Sequence, residues 1–151
     1  NITAYIPDEW VGSTEQKMIE YKRLADVKNS VELDYIVEEW VDRFAKPPES
    51  VENLIKLIRL RLSATEVKIS AIREVQDCIR IYTPYSKPEW NIIQKTLPHN
   101  IAKKIKFTLA PKTCTEGSSI LILDTSYVNF NEVFNILTDL FYYIYKVSHE
   151  Y

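Results

Sequence analysis

Residues 29–48 read NSVELDYIVEEWVDRFAKPP and contain the clearest helix signal in the chain. Asn29 and Glu32 have the spacing of a helix cap, because the side chain of the first residue can accept a hydrogen bond three residues later. The apolar residues behind this cap recur on one helical face, and they are Leu33, Ile36, Val37, Trp40, Val41 and Phe44. Pro47 and Pro48 then end the helix and begin another. The segment predicts an amphipathic helix up to about Phe44.

Two further helices are predicted on either side of this one. Ser13 and Gln16 have capping-box spacing ahead of a helix that runs to Lys28, with apolar positions at Met18, Tyr21, Leu24, Ala25 and Val27. A third helix follows the prolines and ends near Ser63. Residues 1–12 lack helical periodicity and contain Pro7, which disfavours helix at the residue before it. We therefore predict that residues 1–12 are a connector from a preceding domain.

The second half of the chain changes to the period of β-strands. Two runs between Val67 and Tyr82 predict a hairpin, and residues 105–109 and 120–123 predict two more strands. A short helix lies between Pro88 and Pro98, and Asn129 with Glu132 caps a last helix. The order predicts an α+β fold in which N-terminal helices precede a small antiparallel sheet of about four strands, with a crossing helix and a C-terminal helix. We predict a single domain over residues 13–151.

Composition excludes several classes of function. A chain of 151 residues with 46% hydrophobic and 26% charged residues is expected to fold, and a net charge of −2 gives no overall attraction to nucleic acid or membranes. The two glycines form no phosphate-binding motif, and no apolar run is long enough for a membrane span. Cys78 and Cys114 are isolated and expected to be reduced, and His99 and His149 lack partners for a metal. We expect a soluble, cytoplasmic protein without cofactor or metal, cut from a longer chain.

Four motifs in the first sixty residues are more specific than their periodicity. They are AYIPD (residues 4–8), YKRLA (21–25), VDRF (41–44) and PESVENL (48–54). In this order and at similar spacing they resemble the C-terminal domain of bacterial transcription-repair coupling factors, over roughly residues 1–62. Ala45 stands where that family usually has glycine. Because alanine does not tolerate positive φ, a different turn is expected there.

The resemblance implies a regulatory domain that is not an enzyme. These factors are ATP-dependent DNA translocases that displace stalled RNA polymerase and recruit excision repair through a UvrB-like module that binds UvrA. Their C-terminal domain docks on that module and masks it until the factor engages polymerase and DNA. The implied partner is therefore the UvrB-like module of the same full-length chain, with UvrA, RNA polymerase and DNA as indirect partners. The isolated fragment is expected to be monomeric or weakly self-associating.

The predicted contact residues are Glu39 and Asp42. Three positions apart, they leave the same side of the helix, and arginines suit such carboxylates. In the family, acidic residues at the positions that look like these contact the basic surface of the UvrB-like module. Without the resemblance, the acidic residues between Glu32 and Asp42 would be interpreted as a solvated helix face. An acid/base pair is the weakest interpretation, because no nucleophile or metal ligand accompanies them.

An alternative function rests on the basic segment from Lys95 to Lys112, which contains no acidic residue. It would make the chain a DNA-binding accessory module, with contacts from Lys103, Lys104 and Lys106 and with Trp90 or Phe107 as stacking platforms. Lysines on an outer strand also protect a sheet edge from aggregation, which is the commoner reason for such a pattern. Both interpretations remain open from the sequence.

Overall fold

The computed structural model describes residues 3–150, and this range contains seven helices and four strands. In chain order they are α1 (Asp8–Val11), α2 (Thr14–Ala25), α3 (Ser30–Phe44), α4 (Glu49–Glu66), β1 (Ala71–Val75), β2 (Cys78–Thr83), α5 (Lys87–Thr96), α6 (His99–Ala102), β3 (Ile105–Leu109), β4 (Ser119–Asp124) and α7 (Phe130–Glu150). The four strands form one antiparallel sheet, so the predicted α+β fold is confirmed. In this range no helix has both the length and the apolar character to cross a membrane.

The chain divides into two compact units, an N-terminal unit up to Leu62 and a C-terminal unit from Ser63. Each has its own buried residues, and each is described separately below. That residues 13–151 act together as one domain stays a prediction.

The N-terminal unit is built around α3. Leu33 and Trp40 are wholly buried in its core, together with Val51 of α4. Trp10 meets Trp40 edge-on, with ring centroids 5.6 Å apart, an arrangement that aromatic quadrupoles favour. Both predicted helix caps are present. The Ser13 side chain accepts a hydrogen bond from Gln16 N at 3.1 Å. Asn29 likewise accepts one from Glu32 N at 2.9 Å.

The segment predicted to lack helix contains α1, so that part of the prediction is wrong. Ile6 and Val11 are buried in the core of the N-terminal unit. Gly12 ends α1 with φ of 100°, a left-handed conformation that glycine adopts without strain. Four residues are barely one turn, so periodicity could not reveal this helix. Residues 1 and 2 lie outside the described range, and a link to a preceding domain stays a prediction.

Ala45 follows α3 with φ of 82° and ψ of −173°. Residues with a side chain rarely adopt this region of φ/ψ space, which is used almost only by glycine. The expectation that alanine would avoid positive φ here is therefore wrong. The chain makes a glycine-type turn between α3 and Pro47 with an alanine in it, and the turn is strained.

The C-terminal unit contains the sheet, in the order β1-β2-β4-β3. Ile81, Leu121 and Phe107 are cross-strand neighbours and so share one face. Helix α5 covers that face, because Trp90 stacks on Phe107 with centroids 6.0 Å apart and rings inclined by 10°. The opposite face carries Lys106 beside Ile122.

Two elements of this unit differ from the sequence prediction. The hairpin begins at Ala71, whereas strand character was predicted from Val67. Val67 and Ile69 are buried, but Lys68 between them has φ of 66°, which interrupts extended backbone. The four-residue helix α6 was not predicted, although Pro98 supplies a usual start signal.

Candidate functional site

Most of the acidic residues of α3 are occupied by contacts within the N-terminal unit. Glu32 accepts a hydrogen bond from the Lys28 backbone N–H at 2.7 Å, which completes the helix cap. Asp34 pairs with Arg59 of α4 at 2.6 Å. These two residues hold local structure and leave the second half of α3 as the candidate docking surface. We call Glu38, Glu39 and Asp42 the acidic surface.

Glu39 is held by two arginines. Arg23 of α2 donates to both of its carboxylate oxygens, at 2.5 and 3.2 Å, and Arg43 lies 3.4 Å from Oε2. The Arg23 hydrogen bond is the main reason that the pKa of Glu39 lies below its usual range. The pKa of Arg23 is raised mainly by the same bond. Two-fifths of the Glu39 side chain nevertheless remains exposed, so a partner can still reach it.

Asp42 has a different environment from Glu39. It is exposed and, within residues 3–150, its side chain makes no hydrogen bond or ion pair. The Glu38 side chain lies one helical turn from Asp42, and it is likewise exposed and without a hydrogen bond or ion pair within residues 3–150. The structure therefore brings Glu39 and Asp42 to one surface, as the spacing predicted, but it leaves only Asp42 of these two with an unused carboxylate.

A buried carboxylate beneath this surface was missed by the sequence analysis. Glu20 of α2 is fully buried and accepts hydrogen bonds from Gln16 Nε2 at 2.6 Å and Trp40 Nε1 at 2.8 Å. Arg23 donates a third at 2.9 Å, so one guanidinium joins the buried Glu20 to the surface Glu39. Buried charges persist when they are paired and hydrogen-bonded in this way.

The sequence held a signal for this site. Glu20 lies four residues before Leu24 and seven before Val27, which places it on the buried face of α2. The sequence analysis instead assigned Met18 to that pattern, but Met18 is 62% exposed. That assignment is wrong, because the helical spacing was matched through the wrong residues.

In the C-terminal unit, Lys103, Lys104 and Lys106 come together in one cleft. It has a volume of about 540 Å³ and is also lined by Cys78, Ile122, Asp124, Ser126 and Val128. Asp124 accepts a hydrogen bond from the Ser126 backbone N–H at 2.9 Å. That bond is the main cause of its lowered pKa, and the charge of Lys106 adds to it. We call this the basic cleft.

Other parts of the predicted nucleic-acid site do not join the cleft. Lys95 and Lys112 are exposed and do not line it. Trp90 is 1% exposed and stacks on Phe107, and the Lys87 ammonium lies 5.1 Å from the Phe107 ring centroid. The prediction that Trp90 serves as a stacking platform is therefore wrong, because its ring is buried. Phe107 is half-buried, and its role as a platform stays a prediction.

The isolated cysteines and histidines form no cluster with one another. Cys78 and Cys114 are free thiols. His149 stacks on Tyr145 with ring centroids 3.8 Å apart, and His99 is exposed on α6. Among residues 3–150, no group of three or more His, Cys, Asp or Glu side chains is placed to hold a metal ion.

Comparison with solved structures identifies the class of fold. The chain superimposes on a crystal structure of the C-terminal domain of a transcription-repair coupling factor with a TM-score of 0.72. The match covers 99% of this chain and 91% of that one, at 20% sequence identity. The architecture is therefore that of this C-terminal domain.

Sequence comparison gives the family. A family model described as the TRCF domain matches residues 1–92, and the chain belongs to that family. The transcription-repair-coupling factor of Bacillus subtilis is 29% identical over 80 residues, which are 53% of this chain and 7% of that protein. That of Haemophilus influenzae is 31% identical over 71 residues, or 47% of this chain and 6% of the relative. The chain thus spans less than a tenth of the length of these two relatives.

Proposed function

We propose that the acidic surface of α3 docks on the UvrB-like module of a transcription-repair coupling factor and keeps that module from binding UvrA. Release would follow when the factor engages stalled RNA polymerase and DNA. The chain would be a non-catalytic, cytoplasmic part of a longer protein whose ATP-dependent translocase motor lies elsewhere.

The observation that carries this proposal is the exposed, unpaired carboxylate of Asp42 beside a Glu39 that is already oriented. Arg23 and Arg43 fix the position of Glu39, so a partner arginine would meet a rigid acceptor instead of a mobile side chain. Pre-organised groups lose less conformational entropy on binding. Both residues lie within the part of the chain that matches the family.

The two acids should contribute differently to docking. Arg23 and Arg43 already neutralise part of the Glu39 charge, so a partner cation gains less there. Asp42 has no internal counter-ion among the described residues and is the stronger attractor for a basic surface. Because docking would be intramolecular, a modest interface is sufficient at the high effective concentration that a tether provides.

A competition experiment tests the proposal. The 151-residue chain is added to the isolated UvrB-like module of its own full-length factor in the presence of UvrA. We expect the chain to displace UvrA from the module, and Asp42→Lys to abolish that displacement. Asp139→Lys, which reverses an exposed helical aspartate of the C-terminal unit, serves as the matched control. No displacement by the parent chain at about 1 mM, the scale of effective concentration in a tethered protein, would contradict the proposal.

A further inference from the structure

Tyr127 is the most exposed large hydrophobic residue of the described range, with a relative exposure of 107%. It also has φ of 63°, in the left-handed region that residues other than glycine seldom adopt. Its two chain neighbours, Ser126 and Val128, both line the basic cleft. A fully exposed aromatic residue thus lies in the loop between two residues that line the basic cleft.

The charge of the cleft favours an anion. Lys103, Lys104 and Lys106 face a single carboxylate, that of Asp124, whose oxygen is already bound by the Ser126 backbone N–H. Two positive charges are left over. Lys103 and Lys104 make no ion pair with a carboxylate within residues 3–150, so they are available to phosphates.

The lysines of the basic cleft and the exposed Tyr127 together restrict the class of ligand that this surface can bind. Lysines alone would hold any phosphate, but a fully exposed ring in the adjoining loop offers a surface on which an unpaired base can stack. Duplex DNA keeps its bases inside the helix, where a ring outside the grooves cannot stack on them. We infer that the basic cleft and Tyr127 bind single-stranded nucleic acid, with the lysines on its backbone phosphates and the tyrosine ring under a base.

This inference goes beyond the proposed function and uses residues of the C-terminal unit only. The two proposals can therefore fail independently. Docking through α3 can be absent while the C-terminal unit binds single-stranded nucleic acid, and docking can occur without such binding. In place of the buried Trp90 and the half-buried Phe107 that stacks on it, the inference uses a residue whose side chain is fully exposed.

The test compares two labelled strands of about a dozen nucleotides, the site size typical of such surfaces. One is oligothymidylate, and the other has the same phosphates but abasic sugars. Binding to the 151-residue chain is followed by fluorescence anisotropy at low salt. We expect the thymidine strand to bind more tightly, with a slope of log affinity against log salt of about −1.4 to −2.1, for two or three neutralised phosphates.

Variants separate the two contributions. Tyr127→Ala should weaken binding of the thymidine strand roughly 5- to 100-fold and leave the abasic strand unchanged, because only the stacked base is lost. Tyr127→Phe keeps a stacking ring and should bind like the parent. Replacing all three cleft lysines with glutamine should weaken both strands, whereas Lys95→Gln with Lys112→Gln should weaken neither.

Three results would overturn the inference. The first is an unchanged affinity of Tyr127→Ala for the thymidine strand. The second is equal binding of the abasic strand, which would make the cleft a phosphate site without base stacking. The third is tighter binding of a duplex of equal length, which would make the surface a duplex-binding one. Circular dichroism of each variant confirms that the fold is retained, as expected for changes at exposed side chains.

Discussion

Trp40 Nε1 donates a hydrogen bond of 2.8 Å to Oε1 of Glu20, and both side chains are wholly buried. The largest side chain of α3 is therefore fixed to α2 by a carboxylate that has no contact with water. The same carboxylate is bound by Arg23, which reaches the surface and holds Glu39. The stability of the core and the geometry of the acidic surface thus depend on one set of contacts.

Removing the buried carboxylate should destabilise the N-terminal unit strongly. Glu20→Ala leaves Trp40 Nε1 and the Gln16 amide without their acceptor and removes one of the two carboxylates that Arg23 binds, and breaking a buried charge pair costs about 3–5 kcal/mol. Glu20→Gln keeps an acceptor and should cost less, about 1–3 kcal/mol. Urea unfolding followed by tryptophan fluorescence measures both. Glu15→Ala, at an exposed position of the same helix, is the control and should change the free energy of unfolding by less than about 0.5 kcal/mol.

Replacing Ala45 with glycine should stabilise the chain. Its backbone strain at φ of 82° is worth about 1–3 kcal/mol. The greater freedom of glycine in the unfolded chain removes about 0.4–1 kcal/mol of that gain. We therefore expect a net gain of about 1 kcal/mol in the free energy of unfolding, measured by urea titration. Ala25→Gly, at a helical position, should lower stability, and a loss of stability at position 45 would show that the turn is not strained.

The Glu39–Arg23 contact should make stability depend on pH. Arg23 lowers the pKa of Glu39 in the folded chain, so this contribution is fully present above the unfolded value of about 4.5. It is lost as the pH falls through the lower folded pKa. Urea midpoints of the parent and Glu39→Gln between pH 7 and pH 3 should therefore differ most at neutral pH and converge in acid. Because Asp8, Glu89 and Asp124 also have lowered pKa values, only the difference between the two proteins isolates Glu39.

Charge reversal should separate docking from folding. In the full-length factor, we expect Asp42→Lys to increase UvrA binding in a pull-down without stalled polymerase, while the melting temperature stays that of the parent. Glu39→Lys should also lower the melting temperature, because it places a cation beside Arg23 and Arg43. The two acids are therefore not equivalent, although their spacing on the helix made them look so. If Asp42→Lys melts like the parent and binds UvrA no better, Asp42 is part of a solvated face.

Much of the fold follows from local signals that the sequence contains. The Ser13 and Asn29 caps and most of the buried face of α3 were predicted, because capping and periodicity act within a few residues. Val41 was also assigned to that face, but it is exposed. Helices α1 and α6 were missed because a single turn has no period. Strand β1 was placed too early, since burial of Val67 and Ile69 resembles strand alternation although the backbone between them turns.

The candidate sites were less predictable than the fold. The pairing of Arg23 with Glu39 joins residues from two helices, and only tertiary packing brings them together. The three lysines were predicted as a group because they are close in sequence, whereas Asp124 is brought beside Cys78 in the cleft by the pairing of β2 with β4. Tyr127 was missed because a single exposed residue leaves no pattern in a sequence.

The guanidinium that Arg23 shares between Glu20 and Glu39 also limits how this surface can evolve. A change of charge at position 39 alters the contacts of Arg23, which also binds Glu20, the acceptor of Trp40. Residues in one such network do not contribute additively to the free energy of unfolding. Substitutions there are expected to occur in concert, and positions 38 and 42 can vary one at a time. New partner specificity would therefore be acquired first at the two positions that the core does not constrain.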